Sequence, residues 1–202
     1  GSGADTLTLQ GPVTLYTAYD ANYNGLPPVT TEITIAGNDH TIRRDPSAVD
    51  PFRILTVEAN GALTLNQVRI TGGFPANDAG GGIHNSGALT ITNYSSIYGN
   101  NGGDGAGIYN NGTLTVVSSQ VMDNEAYGGA GGIANRGTLI VSNYSTISGN
   151  RYGAGVDNSG TLIVTNGVIT GHPEGVGIGN SGTMTVTNSS INNNFGNIGN
   201  QD

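Results

Sequence analysis

The chain repeats at a period of 22 to 26 residues, and no other feature constrains its fold as strongly. A glycine followed by Thr or Ala and then by Leu or Met recurs six times, at separations of 26, 25, 25, 23 and 22 residues. These glycines are Gly61, Gly87, Gly112, Gly137, Gly160 and Gly182. Repeats of this length are typical of solenoids, in which each unit buries its apolar face only by stacking on its neighbours.

Aligning the repeats places aliphatic residues in four columns. The first contains Leu63, Leu89, Leu114, Leu139, Leu162 and Met184, and the second contains Leu65, Ile91, Val116, Val141, Val164 and Val186. The third contains Ile70, Ile97, Val121, Ile147, Ile169 and Ile191, and the fourth contains Ile83, Ile108, Ile133, Val156, Ile178 and Ile198. Alternation every second residue indicates short strands with one buried side. The pattern predicts an all-β, right-handed parallel β-helix, a single-stranded solenoid of about eight coils.

Asparagines recur at the predicted corners. One set is Asn93, Asn143, Asn166 and Asn188, and another is Asn85, Asn110, Asn135, Asn158, Asn180 and Asn200. Asn tolerates the left-handed backbone that a sharp corner requires. Its amide can also bond the equivalent amide one coil away, so we expect an asparagine ladder.

The repeat is less regular toward the N-terminus. Residues 1–2 have the composition of a cloning remnant, residues 3–60 are expected to form irregular N-terminal coils and a cap, and residues 61–202 are expected to form six regular coils of one continuous domain. Strand-like runs occur at 6–9, 13–16, 32–35 and 54–57, with loops predicted around 17–28 and 43–51. Atypical terminal units are expected in solenoids because one side of the end coil has no neighbour.

The composition excludes several classes of partner. The formal net charge is −8, all six basic residues are arginines and the chain contains no Cys. Clustered Lys and Arg are needed to bind phosphates, so nucleic acid is not expected as a partner. No apolar run approaches the ~20 residues of a membrane span, so no membrane insertion of this segment is expected. Without Cys, neither a disulfide framework nor Cys-ligated zinc can form.

Two parts of the sequence resemble known bacterial proteins. The segment 81–93 and its sister repeats are similar to repeats of polymorphic outer-membrane and autotransporter-like proteins. The segments 3–9, 25–29, 33–42 and 52–57 follow the order seen in CSLREA-type secreted β-helix proteins. The resemblance implies a bacterial secreted or cell-surface protein, here a fragment of a longer precursor, and it supplies no catalytic residues to transfer. A noncatalytic, adhesin-like scaffold is therefore our first hypothesis.

The variable loops contain the best candidates for binding a glycan or another surface partner. They are Asp104, Glu125, Tyr127, Arg151, Tyr152 and Glu174. The signature motifs of pectin hydrolases are absent from the sequence, and no catalytic residue is assigned. Arg151 falls in the coil between Glu125 and Glu174, so an ion-pair ladder is the simpler interpretation of those three residues. A carbohydrate-binding or polysaccharide-degrading protein remains the alternative function.

The sequence suggests one metal site and one unusual surface. The side chains of Asp20, Asn22 and Asn24 match the opening of a Ca²⁺ loop, and no other cofactor is expected. The three histidines fall in different columns and are interpreted as surface or turn residues. An outward threonine face is predicted, which makes ice binding a second alternative; its members include Thr90, Thr115, Thr161, Thr165, Thr185 and Thr187. Because Thr also suits the solvent face of a strand, the face has a purely structural interpretation as well.

Two further expectations concern surfaces. Tyr94 and Tyr144 occupy equivalent positions, where they either stack on sugar rings or pack over the corner; packing is the prediction. Exposed strand edges at the coil ends would also allow self-association.

Overall fold

The computed structural model describes residues 4–76 and 78–200, and it consists of parallel strands wound into a β-helix. Three sheets, named A, B and C here, form the sides of a prism, and each coil after the first contributes one strand to each sheet in turn. The chain makes about seven turns, which gives eight strands in sheets A and B and seven in sheet C. Within the described residues there is no helix long and apolar enough to cross a membrane. The predicted cloning remnant, residues 1–2, lies outside the described residues.

The strands are short, and their bounds recur with the repeat. Sheet A contains Asp5–Thr8, Glu32–Ala36, Ala62–Asn66, Ala88–Thr92, Thr113–Val117, Thr138–Ser142, Thr161–Thr165 and Thr183–Thr187. Sheet B contains Val13–Leu15, Thr41–Arg44, Arg69–Thr71, Ser96–Tyr98, Gln120–Met122, Thr146–Ser148, Val168–Thr170 and Ser190–Asn192. Sheet C contains Leu55–Val57, Ile83–Asn85, Ile108–Asn110, Ile133–Asn135, Val156–Asn158, Val176–Asn180 and Gly196–Asn200. Asn101–Gly102 and Glu125–Ala126 pair as a small additional sheet. Coils 1 to 8 are numbered by their sheet A strands.

The register of the sheets confirms the four predicted apolar columns. Leu114 pairs with Leu89 on one side and with Leu139 on the other. Ile108 is likewise paired with Ile83 and Ile133. These side chains fill the prism, and from coil 3 to coil 7 the column residues are almost completely buried. Stacking in register therefore gives every interior coil the same aliphatic core, which is why the repeat tolerates little variation at these positions.

The predicted asparagine ladder is present at the ends of the five sheet C strands from Ile83–Asn85 to Val176–Asn180. Each amide nitrogen donates to the next amide oxygen at 2.7, 2.7, 2.6 and 2.7 Å along the series Asn85, Asn110, Asn135, Asn158 and Asn180. The same nitrogens also donate to backbone carbonyls of the following turn. We call this series the C ladder. The side chain of its last predicted member, Asn200, lies outside the described part of the structure.

A second buried ladder, which we did not predict, follows the sheet B strands. Its members are Asn100, Asn124, Asn150, His172 and Asn194, and we call it the B ladder. Each interior amide oxygen accepts the backbone N–H of the preceding member, as Asn150 Oδ1 does from Asn124 at 3.0 Å. A column of glycines at the start of sheet C leaves room for these side chains: Gly82, Gly107, Gly132, Gly155 and Gly177.

His172 replaces asparagine in the B ladder and is completely buried, so the interpretation of this histidine as a surface residue is wrong. Its Nδ1 lies 3.1 Å from the Asn150 backbone nitrogen and 3.2 Å from the Asn150 carbonyl oxygen, so the neutral ring accepts the N–H in one tautomer and donates to the carbonyl in the other. Within the described residues, Nε2 is buried without a hydrogen-bond partner. The ring fits because Gly155 has no side chain where Nε2 lies.

Burial lowers the pKa of His172, and this predicts destabilisation by acid. As the pH falls through about 6.5, the unfolded chain binds a proton at this histidine before the folded chain does. The stability that the neutral ring contributes to the fold is therefore complete above that pH, and it is lost as the pH falls toward the lower pKa of the folded state. The free energy of unfolding should fall by up to about 1.4 kcal/mol per pH unit in this window. We expect His172→Asn, which restores the ladder residue, to flatten that slope in urea titrations between pH 7 and 5.

The comparison variant for this prediction is His84→Asn. The pKa of His84 is also lowered, by burial first and by Arg53 second, but the ring is half-buried and stacked on Tyr109 with 5.3 Å between centroids. Its substitution should therefore change the slope less than His172→Asn does. If the unfolding free energy of His172→Asn falls with pH as steeply as that of the parent protein, His172 is not the group that causes the destabilisation by acid.

The N-terminal coils are irregular, as predicted, but they differ in one detail. The loop expected around 43–51 begins later, because Thr41–Arg44 is a strand of sheet B that pairs with Val13–Leu15 and Arg69–Thr71. Two arginines interrupt the apolar pattern of this strand, and for that reason its last two residues were predicted as a loop. The Arg44 guanidinium lies over the Phe52 ring at 5.2 Å and donates to backbone carbonyls of the following loop.

Candidate functional site

The six loop residues singled out from the sequence lie along the connections from sheet B to sheet C in coils 4 to 7, which we call the loop lane. Glu125 and Arg151 are neighbours in register, joined by a parallel β-bridge. Tyr127 and Tyr152 are 57% and 55% exposed, and both Glu174 and Arg151 are exposed. The stacked coils therefore bring these residues to one edge of the prism, although the structure does not gather them around a common point.

The ionic contacts of the loop lane differ from the predicted ladder. The ion pair in this region joins Asp104 Oδ2 to the Arg136 guanidinium at 3.0 Å. Asp104 Oδ1 accepts the Ala130 backbone N–H at 2.9 Å. Among the described residues Glu125 and Arg151 form no ion pair, so the predicted ladder is wrong for them: backbone pairing sets their spacing. Asp104 thus holds the next loop in place, which is a structural task.

Asp157 lies close to this ion pair on the outward side of sheet C. Burial raises its pKa, and the nearby charge of Asp104 raises it further, while Arg136 opposes both effects. The Arg136 pKa is raised by its interaction with the Tyr109 side chain and by Asp104. A depression of about 530 Å³ lies over this region, open to solvent and lined by Asp78, Asp104, Tyr109 and Tyr127 among others.

The predicted Ca²⁺ loop is closed by its own hydrogen bonds. Asp20 accepts the backbone N–H of Asn22 at 2.9 Å and the side-chain amide of Asn24 at 2.9 Å. These bonds lower the pKa of Asp20, with the Asn24 side chain as the largest cause. Asn24 is buried, and its amide oxygen accepts the Thr56 hydroxyl at 2.5 Å. A cation would have to displace these donors, and Ca²⁺ binding at Asp20, Asn22 and Asn24 stays a prediction.

In the described part of the chain, no three His, Asp or Glu side chains come together as a group that could hold a metal ion. The three histidines lie on different parts of the coils, in agreement with their different columns: His40 is at the A–B corner of coil 2, His84 is in sheet C in coil 3, and His172 is in the B ladder in coil 7.

The threonines of the predicted flat face lie on the outward side of sheet A. Thr90 pairs with Thr115, and Thr161 and Thr165 pair with Thr183 and Thr187 of coil 8. The central outward column also contains Ile140 and Ile163, between Thr115 and Thr185. Cross-strand pairs of β-branched residues stabilise a sheet, so the face is explained structurally, and ice binding stays a prediction.

A groove lies at the corner between sheets A and B, where we had expected two tyrosines to pack. Tyr94 and Tyr144 are instead 81% and 84% exposed, so the packing interpretation is wrong. Both backbones are left-handed, with φ of 64° and 62°. This conformation aims each ring away from the prism, beside a groove of about 640 Å³ that continues over the outward side of sheet B.

The corner alternates in length from coil to coil. Three residues join the A and B strands in coils 4 and 6 (93–95 and 143–145), whereas two residues join them in coils 5 and 7 (118–119 and 166–167). The inserted residue is the tyrosine. The aligned repeats contained this signal, because the second and third apolar columns are six residues apart in coils 4 and 6 and five residues apart in coils 5 and 7. The repeat length did not reveal it, since it is 25 residues in both coil 4 and coil 5.

Against this geometry, comparison with known proteins supplies no identification: no family model, curated protein or solved structure matches the chain.

Proposed function

We propose that this protein is a noncatalytic extracellular surface module, a rigid β-helix that holds a partner through aromatic side chains presented on its corners. The observation that most supports this proposal is the position of the four exposed tyrosines of coils 4 to 6. Tyr94 and Tyr144 project from the A–B corner, and Tyr127 and Tyr152 project from the loop lane.

Two physical arguments support this proposal. Tyrosine offers a large, rigid contact surface at a low cost in side-chain entropy, and it is enriched among residues that dominate binding energies. An exposed ring gains nothing from the core, so its repetition on a frame this regular favours a partner outside the chain. The two buried ladders lock the register of the coils, which keeps the distances between the rings constant.

The resemblance to CSLREA-type and polymorphic outer-membrane proteins is the basis for the proposed location. It favours a bacterial secreted or cell-surface protein and an adhesin-like role. The acidic composition, with a net charge of −8, is compatible with such a surface.

The experiment combines binding and turnover in one incubation. The purified protein is added to a panel of insoluble polysaccharides and to a glycan array, and both its retention and the release of reducing ends are measured. We expect retention on at least one glycan surface with no release above a heat-denatured sample. If the protein releases reducing ends and Glu125→Gln abolishes that release, the protein is a polysaccharide-degrading enzyme and the proposal is wrong. If the protein is retained on none of the glycan surfaces, a glycan is not its partner.

A further inference from the structure

We propose that Tyr94 and Tyr144 form a clamp for an extended, neutral polysaccharide chain that runs along the solenoid axis. The inference rests on the proposed function and names its ligand class and its site. We call the two rings and the groove between them the tyrosine clamp.

The spacing of the rings follows from the alternating corner. Coils 4 and 6 contain the inserted tyrosines, and coil 5 has the short corner Ser118–Ser119 between them. Neighbouring strands are about 4.8 Å apart, so equivalent positions two coils apart are separated by about 9.6 Å along the axis. The clamp therefore has two rings at equal height above the surface and a one-coil notch at Ser118.

The backbone at these positions points to a role beyond folding. A left-handed conformation costs a bulky residue roughly 1–2 kcal/mol relative to one that adopts it freely. The same corner in coil 7 is made by Asn166 and Gly167, which shows that the fold closes without a tyrosine. A strained residue that buries almost none of its ring contributes little to stability, and such strain tends to persist where function requires it.

The local hydrogen bonds hold the strained backbone in place. The Tyr94 N–H donates to the Ser118 carbonyl at 2.8 Å, and the Tyr144 N–H donates to the Asn166 carbonyl at 2.6 Å. Each tyrosine is therefore tied through its backbone to the next coil. The rings are presented by a fixed frame and do not depend on each other for support.

The chemistry of the groove favours an uncharged ligand. Ser118, Gln120, Met122 and Tyr98 supply hydroxyl, amide, thioether and ring surfaces between the two tyrosines, and no described acidic side chain lines the groove. Arg69 lies at one end, where its guanidinium donates to the Asp39 carbonyl at 2.8 Å and faces the Asp39 carboxylate at 3.8 Å. Its charge is therefore already partnered.

A sugar chain matches this combination of rings and polar groups. The C–H face of a pyranose packs on an aromatic ring, and its equatorial hydroxyls bond to amides and hydroxyls at the sides. In an extended β-1,4-linked chain one hexose advances by roughly the height of one coil. Two hexoses can therefore lie over Tyr94 and Tyr144 while the hexose between them spans the notch at Ser118.

Isothermal titration with β-1,4-linked glucose, mannose and xylose hexamers tests the clamp. We expect binding of at least one hexamer, a loss of about tenfold in affinity for Tyr94→Ala or Tyr144→Ala, and no detectable binding by the double variant. Tyr94→Phe should retain binding because the ring remains. Tyr16→Ala is the matched control, because Tyr16 is 62% exposed and lies in coil 1 outside the groove, and the affinity of this variant should equal that of the parent protein.

A second measurement separates binding from folding. Tyr94→Gly removes the ring and also relieves the left-handed strain, so its melting temperature should be equal to or higher than that of the parent while its affinity falls as in Tyr94→Ala. A tyrosine needed for the fold would lower the melting temperature instead.

The inference is overturned if none of the three hexamers binds, or if the affinity survives the double substitution at Tyr94 and Tyr144. Glycan retention that the double variant keeps, and that Tyr127→Ala with Tyr152→Ala removes, would place the site in the loop lane. The proposed function would then stand without the clamp. If the double variant loses binding to a protein partner while its binding to every sugar is unchanged, the polysaccharide is likewise rejected as the ligand.

Discussion

Replacing Asn135 with leucine should reduce the free energy of unfolding by about 4 kcal/mol. Asn135 is a central member of the C ladder and is 1% exposed. Its amide nitrogen donates to Asn158 Oδ1 at 2.6 Å and to the Thr161 carbonyl at 3.0 Å, and its oxygen accepts from Asn110 at 2.7 Å. Leucine has a similar volume but no polar atoms, so the neighbours above and below lose partners they cannot replace with water.

The control is the same change at Asn180, which is half-buried and has only one described ladder neighbour. Asn180→Leu should cost about 1 kcal/mol, because fewer groups are left unpaired and water can reach them. Urea titrations followed by circular dichroism measure both values. Equal losses for the two variants would show that the ladder contributes no more in the interior than near its end.

Replacing Gly132 with alanine should cost about 3 kcal/mol or more, at the upper end of what overpacking produces. A Cβ at this position would overlap the Gly155 carbonyl oxygen of the next coil and lie 2.9 Å from Asn150 Nδ2 in the B ladder. Both obstacles belong to buried, hydrogen-bonded groups. The coil can accommodate the methyl group only by moving the backbone of sheet C or by breaking the ladder contact.

Gly128→Ala is the matched control. It lies in the exposed loop of the same coil, and a Cβ there meets no atom within 4 Å. The substitution should change the free energy of unfolding by less than about 0.5 kcal/mol. If Gly132→Ala unfolds at the same urea concentration as Gly128→Ala, the glycine column is not required for the B ladder.

One of the two ladders was predicted from the sequence, and the other was not. Asn85, Asn110, Asn135 and Asn158 follow an unbroken pattern, and their stacking was predicted and is confirmed. The B ladder was missed although Asn100 and Asn124 recur at a similar interval, because His172 replaces asparagine and interrupts the column. A buried imidazole that takes the place of an amide becomes visible only when its Nδ1 is seen within hydrogen-bond distance of the Asn150 backbone.

The candidate sites show a similar division. The loop lane residues were grouped from the variable loops, and the structure lines them up along one edge of the prism. The ion pair found there joins Asp104 to Arg136, 32 residues away, whereas the predicted pairing of Glu125 with Arg151 is not formed. Tyr94 and Tyr144 were recognised as equivalent, yet their direction was predicted wrongly. Whether a corner side chain turns inward or outward depends on φ, and a left-handed φ at tyrosine is not anticipated from residue type.

The sequence by itself determined the solenoid, the register of its coils and the identity of its core. This was possible because a stacked repeat converts a sequence interval into a spatial neighbour, so that local pattern and tertiary contact are the same information. Only the tertiary structure decided which polar groups are paired, which way the corner tyrosines point, and how Gly155 makes room for His172. Those features depend on backbone angles and on close approaches between coils, which a repeating pattern of residue types does not specify.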